Sequence, residues 1–355
     1  MSVASLKKEY HAGRESLFRP TEHPERHRLL AYDGPVPAGS RRGEIVLLIL
    51  SLVSFLGLAE AAVRILGADR PRPLGYSPVN TDGRERRPIN REGYRDLDHA
   101  RRKPAGVRRI LFLGDSFTWG ASVLFEDTYA QRVERGLERR GEPWEAINLA
   151  EPGMNTVQEA ALLAAQGFTY SPDVVVLGYV LNDSEDESAA EARRAADWRD
   201  DRKAAPAPGL LDRSVLWRMI RTRIWATREN RRRIEGFRSM YAPTFSGWLA
   251  GQKALKAMGG LCRERGVPFV VVIFPLFGNP LDDGYPFTEI HAQVARVAAE
   301  AGAKVVDLLP YYRGLRSELL VVNGEADEHP NEIAHRIAAQ TLLKALDDVV
   351  PKAAP

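Results

Sequence analysis

The chain has 355 residues, of which 44% are hydrophobic and 27% are charged, a composition that fits one or two ordinary globular domains. The formal net charge of +3 is small for this length and gives no indication of a nucleic-acid-binding surface. The single cysteine, Cys262, excludes an internal disulfide framework and a cysteine-rich zinc site.

The amino-terminal part of the chain divides into two segments of opposite character. Residues 1–43 are polar, rich in Arg, His, Pro and Gly, and without apolar periodicity, which predicts a flexible tail. From Ile45 the sequence IVLLILSLVSFLGLA carries no charge, and the apolar character continues to Leu66, a length that can cross a bilayer. Because a soluble helix without a polar face is unusual, we predict a single transmembrane helix at 44–67.

Two features bear on the processing and orientation of this segment. Ala59-Glu60-Ala61 has the small-x-small form of a signal-peptide cleavage site, but the preceding tail is far longer than a normal n-region. We therefore predict an uncleaved membrane anchor. Arginines flank the segment on both sides, and their count slightly favours a cytoplasmic amino terminus.

The remaining sequence predicts a linker followed by one α/β domain. Residues 68–106 contain several prolines and show no clear periodicity, whereas 107–350 alternates apolar runs with amphipathic segments. The apolar runs predict five buried strands at 109–113, 146–149, 174–180, 269–277 and 304–309. The amphipathic segments predict helices near 124–139, 156–168, 246–265, 287–301 and 332–348. This alternation predicts a parallel sheet covered by helices on both faces.

Residues 183–245 interrupt the alternation and form a predicted insertion. The insertion contains an acidic cluster (DSEDE), a loop with two prolines, and an Arg-rich helical stretch from Ser214 to about Phe237. Apolar residues recur in that stretch at three- and four-residue spacing, namely Leu216, Trp217, Ile220 and Ile224. We favour a helix that packs on the domain with a solvated basic face over one that rests on anionic lipid.

The sequence ILFLGDSFTWG, residues 110–120, ends the first predicted strand in a sharp turn that carries Ser116. A serine at the carboxyl end of a parallel strand lies in the crevice where open sheets bind ligands. Gly, Asp and Ser are also common in ordinary turns. A catalytic serine would additionally need a base, a group that orients the base, and donors for an oxyanion.

Three later segments offer those groups. LAEPGMNT follows the second strand and places Gly153 in a tight loop, and YVLND follows the third strand and offers the side-chain N–H of Asn182. DEHPN places His329 just before the last helix, with Asp327 two residues upstream. Each feature alone is ordinary in a turn or a helix cap. Their position at the same edge of one sheet predicts a catalytic site.

These segments resemble the SGNH (GDSL-type) hydrolases, a family named for its Ser, Gly, Asn and His. The resemblance runs from about Arg109 to Asp348 and is strongest at GDSFTWG, INLAEPGMNT, LND and DEHPNEIAH. It implies a flavodoxin-like three-layer α/β/α sandwich with a parallel sheet (the SGNH hydrolase fold), here preceded by a single transmembrane helix. With its predicted anchor, the chain resembles a membrane-anchored bacterial member of this family. The apolar segment and the arginine count predict that it crosses the inner (cell) membrane once, with an extracytoplasmic catalytic domain.

The resemblance also implies roles for the site residues. Ser116 would be the nucleophile and His329 the base. The backbone N–H groups of Ser116 and Gly153, with the side chain of Asn182, would form the oxyanion hole. Asp327 would orient His329.

The chain departs from the family pattern at two positions. The family often places its carboxylate three residues before the histidine, where this chain has Ala326, so that Glu325 stays open as an alternative to Asp327. The family also often has Gly two residues before its Asn, where this chain has Val180.

The predicted function is that of a membrane-anchored serine esterase that hydrolyses carboxylic esters through an acyl-enzyme on Ser116. The substrate would be an ester-bearing lipid, carbohydrate or small molecule. Two alternatives stay open. An O-acetyltransferase or deacetylase of cell-surface polysaccharide would use the same residues, and a non-catalytic anchored scaffold would bind a partner through the Arg-rich insertion.

No metal site, cofactor or nucleic-acid partner is predicted. His329 and His335 are six residues apart, which puts them on different faces of a helix, and the sequence has no HExxH motif. No GxGxxG or GK[ST] motif follows the first strand. The acidic cluster from Asp183 to Glu187 lacks the spacing and the glycine of a calcium loop.

Overall fold

A computed structural model describes residues 41–66, 88–121, 123–186, 213–322 and 328–350. The chain divides into an amino-terminal unit, Met1–Ala61, and a second unit, Ala62–Pro355. Most of the predicted tail, residues 1–40, lies outside the described residues.

Helix α1, Arg41–Leu66, includes residues 44–66 of the predicted membrane-spanning segment. Its 26 residues correspond to roughly 39 Å at 1.5 Å per residue, more than the ~30 Å hydrocarbon core of a bilayer. Its apolar side chains are exposed, Leu48 to 69% and Leu58 to 72%. Among the described residues this is the one helix whose length and composition would allow it to cross a membrane.

Five parallel strands form the sheet of the second unit, in the order β2-β1-β3-β4-β5. Their bounds are β1 Arg108–Gly114, β2 Trp144–Asn148, β3 Val174–Tyr179, β4 Phe269–Ile273 and β5 Lys304–Asp307. Every residue of β3 and β4 is buried, as expected for strands covered on both faces. The five predicted strands are confirmed, although the predicted fourth strand extended four residues too far.

Helices cover the sheet on both faces. Helix α2 is a single turn, Ser116–Trp119, and is followed by α3 Tyr129–Glu138, α4 Thr156–Ala165, α5 Val215–Met240, α6 Ser246–Glu264, α7 Thr288–Glu300, α8 Leu309–Tyr312 and α9 Glu332–Val349. Helices α3 and α9 pack against each other, and α6 packs against both α4 and α7. Because crossovers between parallel strands are almost always right-handed, this strand order puts the two groups on opposite faces of the sheet. The predicted three-layer α/β/α architecture is confirmed.

The predicted linker 68–106 needs correction at its carboxyl end. Tyr94, Arg95 and Asp96 are exposed by 7% or less and belong to the folded body. The Arg95 guanidinium donates hydrogen bonds to the carbonyls of Trp119, at 3.0 Å, and Val123, at 2.6 Å. A polar segment held by carbonyl acceptors has no apolar periodicity, which is why the sequence resembled a linker.

The insertion helix α5 packs through a different part of its surface than its apolar spacing predicts. Trp217 and Ile220, from the predicted stripe, are 39% and 43% exposed. The carboxyl-terminal half contacts the domain, where the ring of Phe237 meets that of Phe287 edge-on at 5.5 Å. The side chain of Ile224 is not among those that the structure describes.

The sheet order determines where a ligand site can form. Strand β2 lies on one side of β1, and β3 lies on the other side. The order in which strands are added to the sheet therefore reverses between β1 and β3. In doubly wound sheets the crevice at this reversal, outside the carboxyl ends of the strands, is the usual ligand site. Ser116 follows β1 and Asn182 follows β3, so both border this crevice.

Candidate active site

The turn after β1 presents Ser116 at the start of α2. The Asp115 side chain caps the helix by accepting a hydrogen bond from the Phe117 backbone N–H at 2.9 Å. Gly120 ends the helix after one turn in a left-handed conformation, φ 82°. A polar cap and a terminal glycine around four residues force a sharp change of direction. Ser116 is half-buried there.

Two glycines let this turn approach the sheet closely. A Cβ on Gly114 would lie 2.2 Å from Oγ1 of Thr118, and a Cβ on Gly178 of β3 would lie 2.1 Å from the same atom. Thr118 is buried, and its hydroxyl forms a 3.0 Å hydrogen bond with that of Tyr129. The turn that carries Ser116 is therefore held against β3 at a distance that only glycine permits.

His329 lies directly beside the serine. Its Nε2 is 2.8 Å from Oγ of Ser116, although the two residues are 213 positions apart in sequence. The His329 carbonyl accepts from the Val322 N–H at 3.2 Å, and Asn331 caps α9 two residues later. The Phe117 ring packs on the imidazole at 5.5 Å between centroids. A serine hydroxyl and an imidazole at this distance can act as a nucleophile and its base.

The Asn182 side chain reaches the same turn from β3. Its Nδ2 donates to Oδ2 of Asp115 at 3.1 Å. Because an amide nitrogen carries two hydrogens, this bond orients the side chain and leaves a second donor. Burial raises the pKa of Asp115, while the hydrogen bonds from Phe117 and Asn182 act in the opposite direction.

The loop after β2 brings Gly153 to this edge of the sheet. The Glu151 N–H donates to the carbonyl of Gly114 at 3.2 Å, which joins this loop to the end of β1. Gly153 is exposed and has φ 81°, a conformation that favours glycine. Within the described ranges, the backbone N–H groups of Ser116 and Gly153 donate to no acceptor.

The group that would orient His329 stays a prediction. Asp327 and its alternative Glu325 both lie outside the described residues. Glu328, the residue directly before the histidine, is described and forms an ion pair with Arg233 of α5.

Sequence reasoning missed two polar residues that support the site. Asn148, the last residue of β2, donates from Nδ2 to the carbonyl of Thr118 at 3.0 Å and accepts from the Ala150 N–H at 3.1 Å. Asp115 receives the bonds from Phe117 and Asn182. A polar residue between a buried strand and a helix was the signal for Asp115, since such positions favour caps.

Two further carboxyl groups are buried behind the site. Glu159 of α4 is fully buried, and neither of its oxygens has a hydrogen-bond partner in the described part of the chain. Asp183 accepts from the Val180 N–H at 3.0 Å. Burial raises the pKa of Glu159 well above its usual value, and the nearby charge of Asp115 raises it further. Burial and the proximity of Glu159 likewise raise the pKa of Asp183.

His335, the second histidine near the site, is part of the core. It is fully buried, and its Nδ1 accepts a hydrogen bond from the Tyr129 backbone N–H at 3.1 Å. Burial lowers its pKa to about 3. Among the residues that the structure describes, no group of three His, Cys, Asp or Glu side chains is arranged to hold a metal ion.

Comparison with protein families agrees with this geometry. The sequence model of the GDSL-like lipase/acylhydrolase family matches residues 112–337, a range that includes Ser116, Gly153, Asn182 and His329. The chain belongs to this family. It is therefore a GDSL-like serine hydrolase, and the resemblance seen in its sequence is confirmed.

Comparison with solved structures finds similarity to TesA and to two esterases. The crystal structure of TesA shares 16% identity, with a TM-score of 0.44, and the match covers 68% of this chain and all of TesA (100%). An acetyl xylan esterase, AlAXEase, shares 14% identity over 67% of this chain and 99% of its own, with a TM-score of 0.40. The esterase EstA from Pseudoalteromonas sp. shares 13% identity over 68% of this chain and 98% of its own, with a TM-score of 0.39. No curated protein sequence matches the chain.

Proposed function

We propose that this GDSL-like hydrolase is a membrane-anchored serine esterase that cleaves carboxylic esters through an acyl-enzyme on Ser116. The observation that supports this most directly is the 2.8 Å separation between Nε2 of His329 and Oγ of Ser116. At that distance the imidazole can take the hydroxyl proton as the oxygen attacks a carbonyl carbon.

In the first step, Oγ of Ser116 bonds to the ester carbonyl carbon while its proton moves to Nε2 of His329. The carbonyl oxygen becomes an oxyanion, for which the N–H groups of Ser116 and Gly153 and Nδ2 of Asn182 are the proposed donors. As the carbon–oxygen bond of the ester breaks, His329 returns the proton to the departing alkoxide.

In the second step, water replaces the alcohol. His329 takes a proton from water, the hydroxide oxygen bonds to the acyl carbon, and the bond to Oγ of Ser116 breaks. The carboxylic acid leaves, and the proton returns to the serine. We propose Asp327 as the group that orients His329, with Glu325 as the alternative.

Labelling with a fluorophosphonate tests this mechanism. The full-length protein, in membranes, is compared with Ser116→Ala, His329→Ala and, as a control, Ser239→Ala at an exposed position of α5. We expect the wild type and Ser239→Ala to label equally and Ser116→Ala not to label. His329→Ala should react at least about 10³-fold more slowly than the wild type. A folded wild type that does not react contradicts the proposal.

The fate of the acyl group separates hydrolysis from transfer. With p-nitrophenyl acetate as donor, we expect acetate to accumulate at the same rate with and without an added polysaccharide. Acetyl groups found on the polysaccharide would instead identify an O-acetyltransferase that uses the same serine and histidine.

We further propose that α1 crosses the inner membrane once and that the catalytic unit is extracytoplasmic. The 26-residue length of α1 and its exposed apolar side chains support the span. Alkaline carbonate should leave the full chain in the membrane pellet and release a variant with Leu52→Lys and Leu56→Lys, since charges at the centre of a span are unfavourable. Protease added to spheroplasts should digest the catalytic unit, and its protection would contradict the orientation.

A further inference from the structure

The insertion helix α5 contacts the catalytic histidine's own segment. Nη1 of Arg233 pairs with Oε1 of Glu328, and each side chain is only about one third exposed, at 32% and 31%. Glu328 is the residue before His329, whose imidazole lies 2.8 Å from Ser116. A charge pair thus links the insertion to the backbone that carries the proposed base.

The carboxyl half of α5 is itself fixed to the domain. Nη2 of Arg238 donates to the carbonyl of Pro286 at 3.1 Å, and Phe237 packs edge-on against Phe287. Just after the helix, the Tyr241 hydroxyl donates to the carbonyl of Leu181 at 3.0 Å. Arg233 therefore projects from a helix that is anchored to the segments that follow β3 and β4.

Glu328 also lies near the loop after β4. A Cβ on Gly278 would lie 3.3 Å from Oε1 of Glu328, and Gly278 has φ 84°. The Gly278 N–H is fixed by a 2.7 Å hydrogen bond to the Ser317 hydroxyl. The Glu328 carboxylate thus pairs with a guanidinium and lies close to the backbone of the loop after β4.

Downstream of His329, backbone contacts and the α9 cap already hold the chain. Val321 and Pro330 form an isolated β-bridge, and the Asn331 side chain donates to the Leu319 carbonyl at 2.8 Å. Upstream, the ion pair of Glu328 with Arg233 joins this segment to α5.

The structure assigns Arg233 as a positioning residue that holds His329 over Ser116 through Glu328. This role rests on the proposed serine-esterase function, because it concerns the base of that reaction. Arg233 acts on the rate through the histidine and does not touch the reacting atoms. The insertion thereby gains a function in catalysis that its sequence, read as a solvated basic helix, did not indicate.

The test uses full-length Arg233→Ala, Arg233→Lys and Glu328→Gln, with Arg231→Ala on an exposed position of the same helix as the matched control. We expect Arg233→Ala and Glu328→Gln to lower kcat about 10- to 100-fold with KM unchanged, since small displacements of catalytic groups have effects of this size. Arg233→Lys should retain most of the activity because it keeps the charge, and Arg231→Ala should match the wild type.

A charge exchange separates positioning from a general loss of stability. The double variant Arg233→Glu with Glu328→Arg should recover at least part of the kcat that each single reversal loses. Melting temperatures identify variants that fail through unfolding. If Arg233→Ala folds normally and keeps the wild-type kcat, the proposal is wrong.

Hydrogen exchange provides a measurement that does not depend on esterase activity. We expect the backbone amides of residues 320–332 to exchange faster in Arg233→Ala than in the wild type, and at the wild-type rate in Arg231→Ala. If the wild type fails to react with a fluorophosphonate but this difference is seen, the esterase function is wrong and the coupling of α5 to the histidine segment stands. Unchanged exchange in Arg233→Ala overturns the coupling.

Discussion

Nδ2 of Asn182 donates a 3.1 Å hydrogen bond to Oδ2 of Asp115, the residue directly before the proposed nucleophile. The bond joins the end of β3 to the end of β1 across the crevice where the sheet order reverses. It also holds the amide group of Asn182 in place, which sets the orientation of its second N–H. A donor held in place before the reaction stabilises a developing oxyanion without reorganisation.

We therefore expect Asn182→Ala to lower kcat about 10²- to 10³-fold on p-nitrophenyl acetate, with a smaller change in KM. Asn182→Asp should be at least as damaging, because it places a carboxylate beside the buried Asp115. Asn230→Ala, the same change at an exposed position of α5, is the control. Retention of kcat within threefold in Asn182→Ala would remove this side chain from the oxyanion hole.

The close contact between β3 and the turn that carries Ser116 should make Gly178 intolerant of a side chain. A Cβ there would lie 2.1 Å from Oγ1 of Thr118 and 2.7 Å from the Tyr129 hydroxyl. We expect Gly178→Ala to reduce the free energy of unfolding by about 1–3 kcal/mol or more, as overpacked cores do. Adding Thr118→Ala should restore part of that loss in a denaturant titration.

Gly251, in the middle of α6, is the matched control for that substitution. A Cβ at Gly251 meets no atom within 4 Å. Gly251→Ala should therefore leave stability unchanged or raise it by up to about 1 kcal/mol, the usual difference between Ala and Gly inside a helix. Equal effects of the two substitutions would contradict the close approach at Gly178.

Glu134 of α3 should make stability depend on pH near neutrality. Burial raises its pKa from 4.5 to about 7, and neighbouring Asp96 acts in the same direction. The folded state binds the Glu134 proton more tightly than the unfolded state does. The protonated Glu134 carboxyl therefore contributes its full stabilisation of the fold below pH 4.5, and this stabilisation is lost as the pH rises through 7.

Glu134→Gln cannot ionise and should remove that dependence. We expect the melting temperature of Glu134→Gln, relative to the wild type, to rise between pH 5 and pH 8. Glu138→Gln, at an exposed position of the same helix, controls for the general effect of removing a carboxylate. A constant difference between Glu134→Gln and the wild type over this pH range would show that Glu134 ionises alike in both states.

Arg109, inside β1, should be essential for stability. It is fully buried, and its guanidinium donates to Glu145 at 2.8 Å and to the carbonyls of Tyr170 at 2.8 Å and Ala100 at 2.7 Å. Arg109→Ala leaves these acceptors without a donor, which should reduce the free energy of unfolding by about 3–5 kcal/mol.

Arg109→Lys should recover little of that loss, because an ammonium group cannot reproduce the planar fork of donors. Arg102→Ala, at an exposed position, should change stability by less than about 0.5 kcal/mol. Chemical denaturation of the three variants measures these differences. A stable Arg109→Ala protein would mean that water satisfies the three acceptors.

The burial of two arginines, Arg95 and Arg109, could be recognised only from the structure. Arg95 and Arg109 are buried by carbonyl and carboxylate acceptors that come from distant parts of the chain. A charged residue in a polar segment, or next to an apolar run, gives no sign in the sequence that it will be buried. The exposed apolar residues of α5 show the converse, since their helical spacing predicted a buried stripe.

The sequence alone determined the parallel α/β fold and the residues at its functional edge. Strands buried on both faces require continuous apolar runs, and parallel strands end at one edge, so Ser116, Gly153 and Asn182 could be placed there. The tertiary structure decided which side chains meet: His329 reaches Ser116 across 213 positions, and Arg233 reaches Glu328. Such pairings depend on loop paths and side-chain packing between distant segments, which local periodicity does not encode.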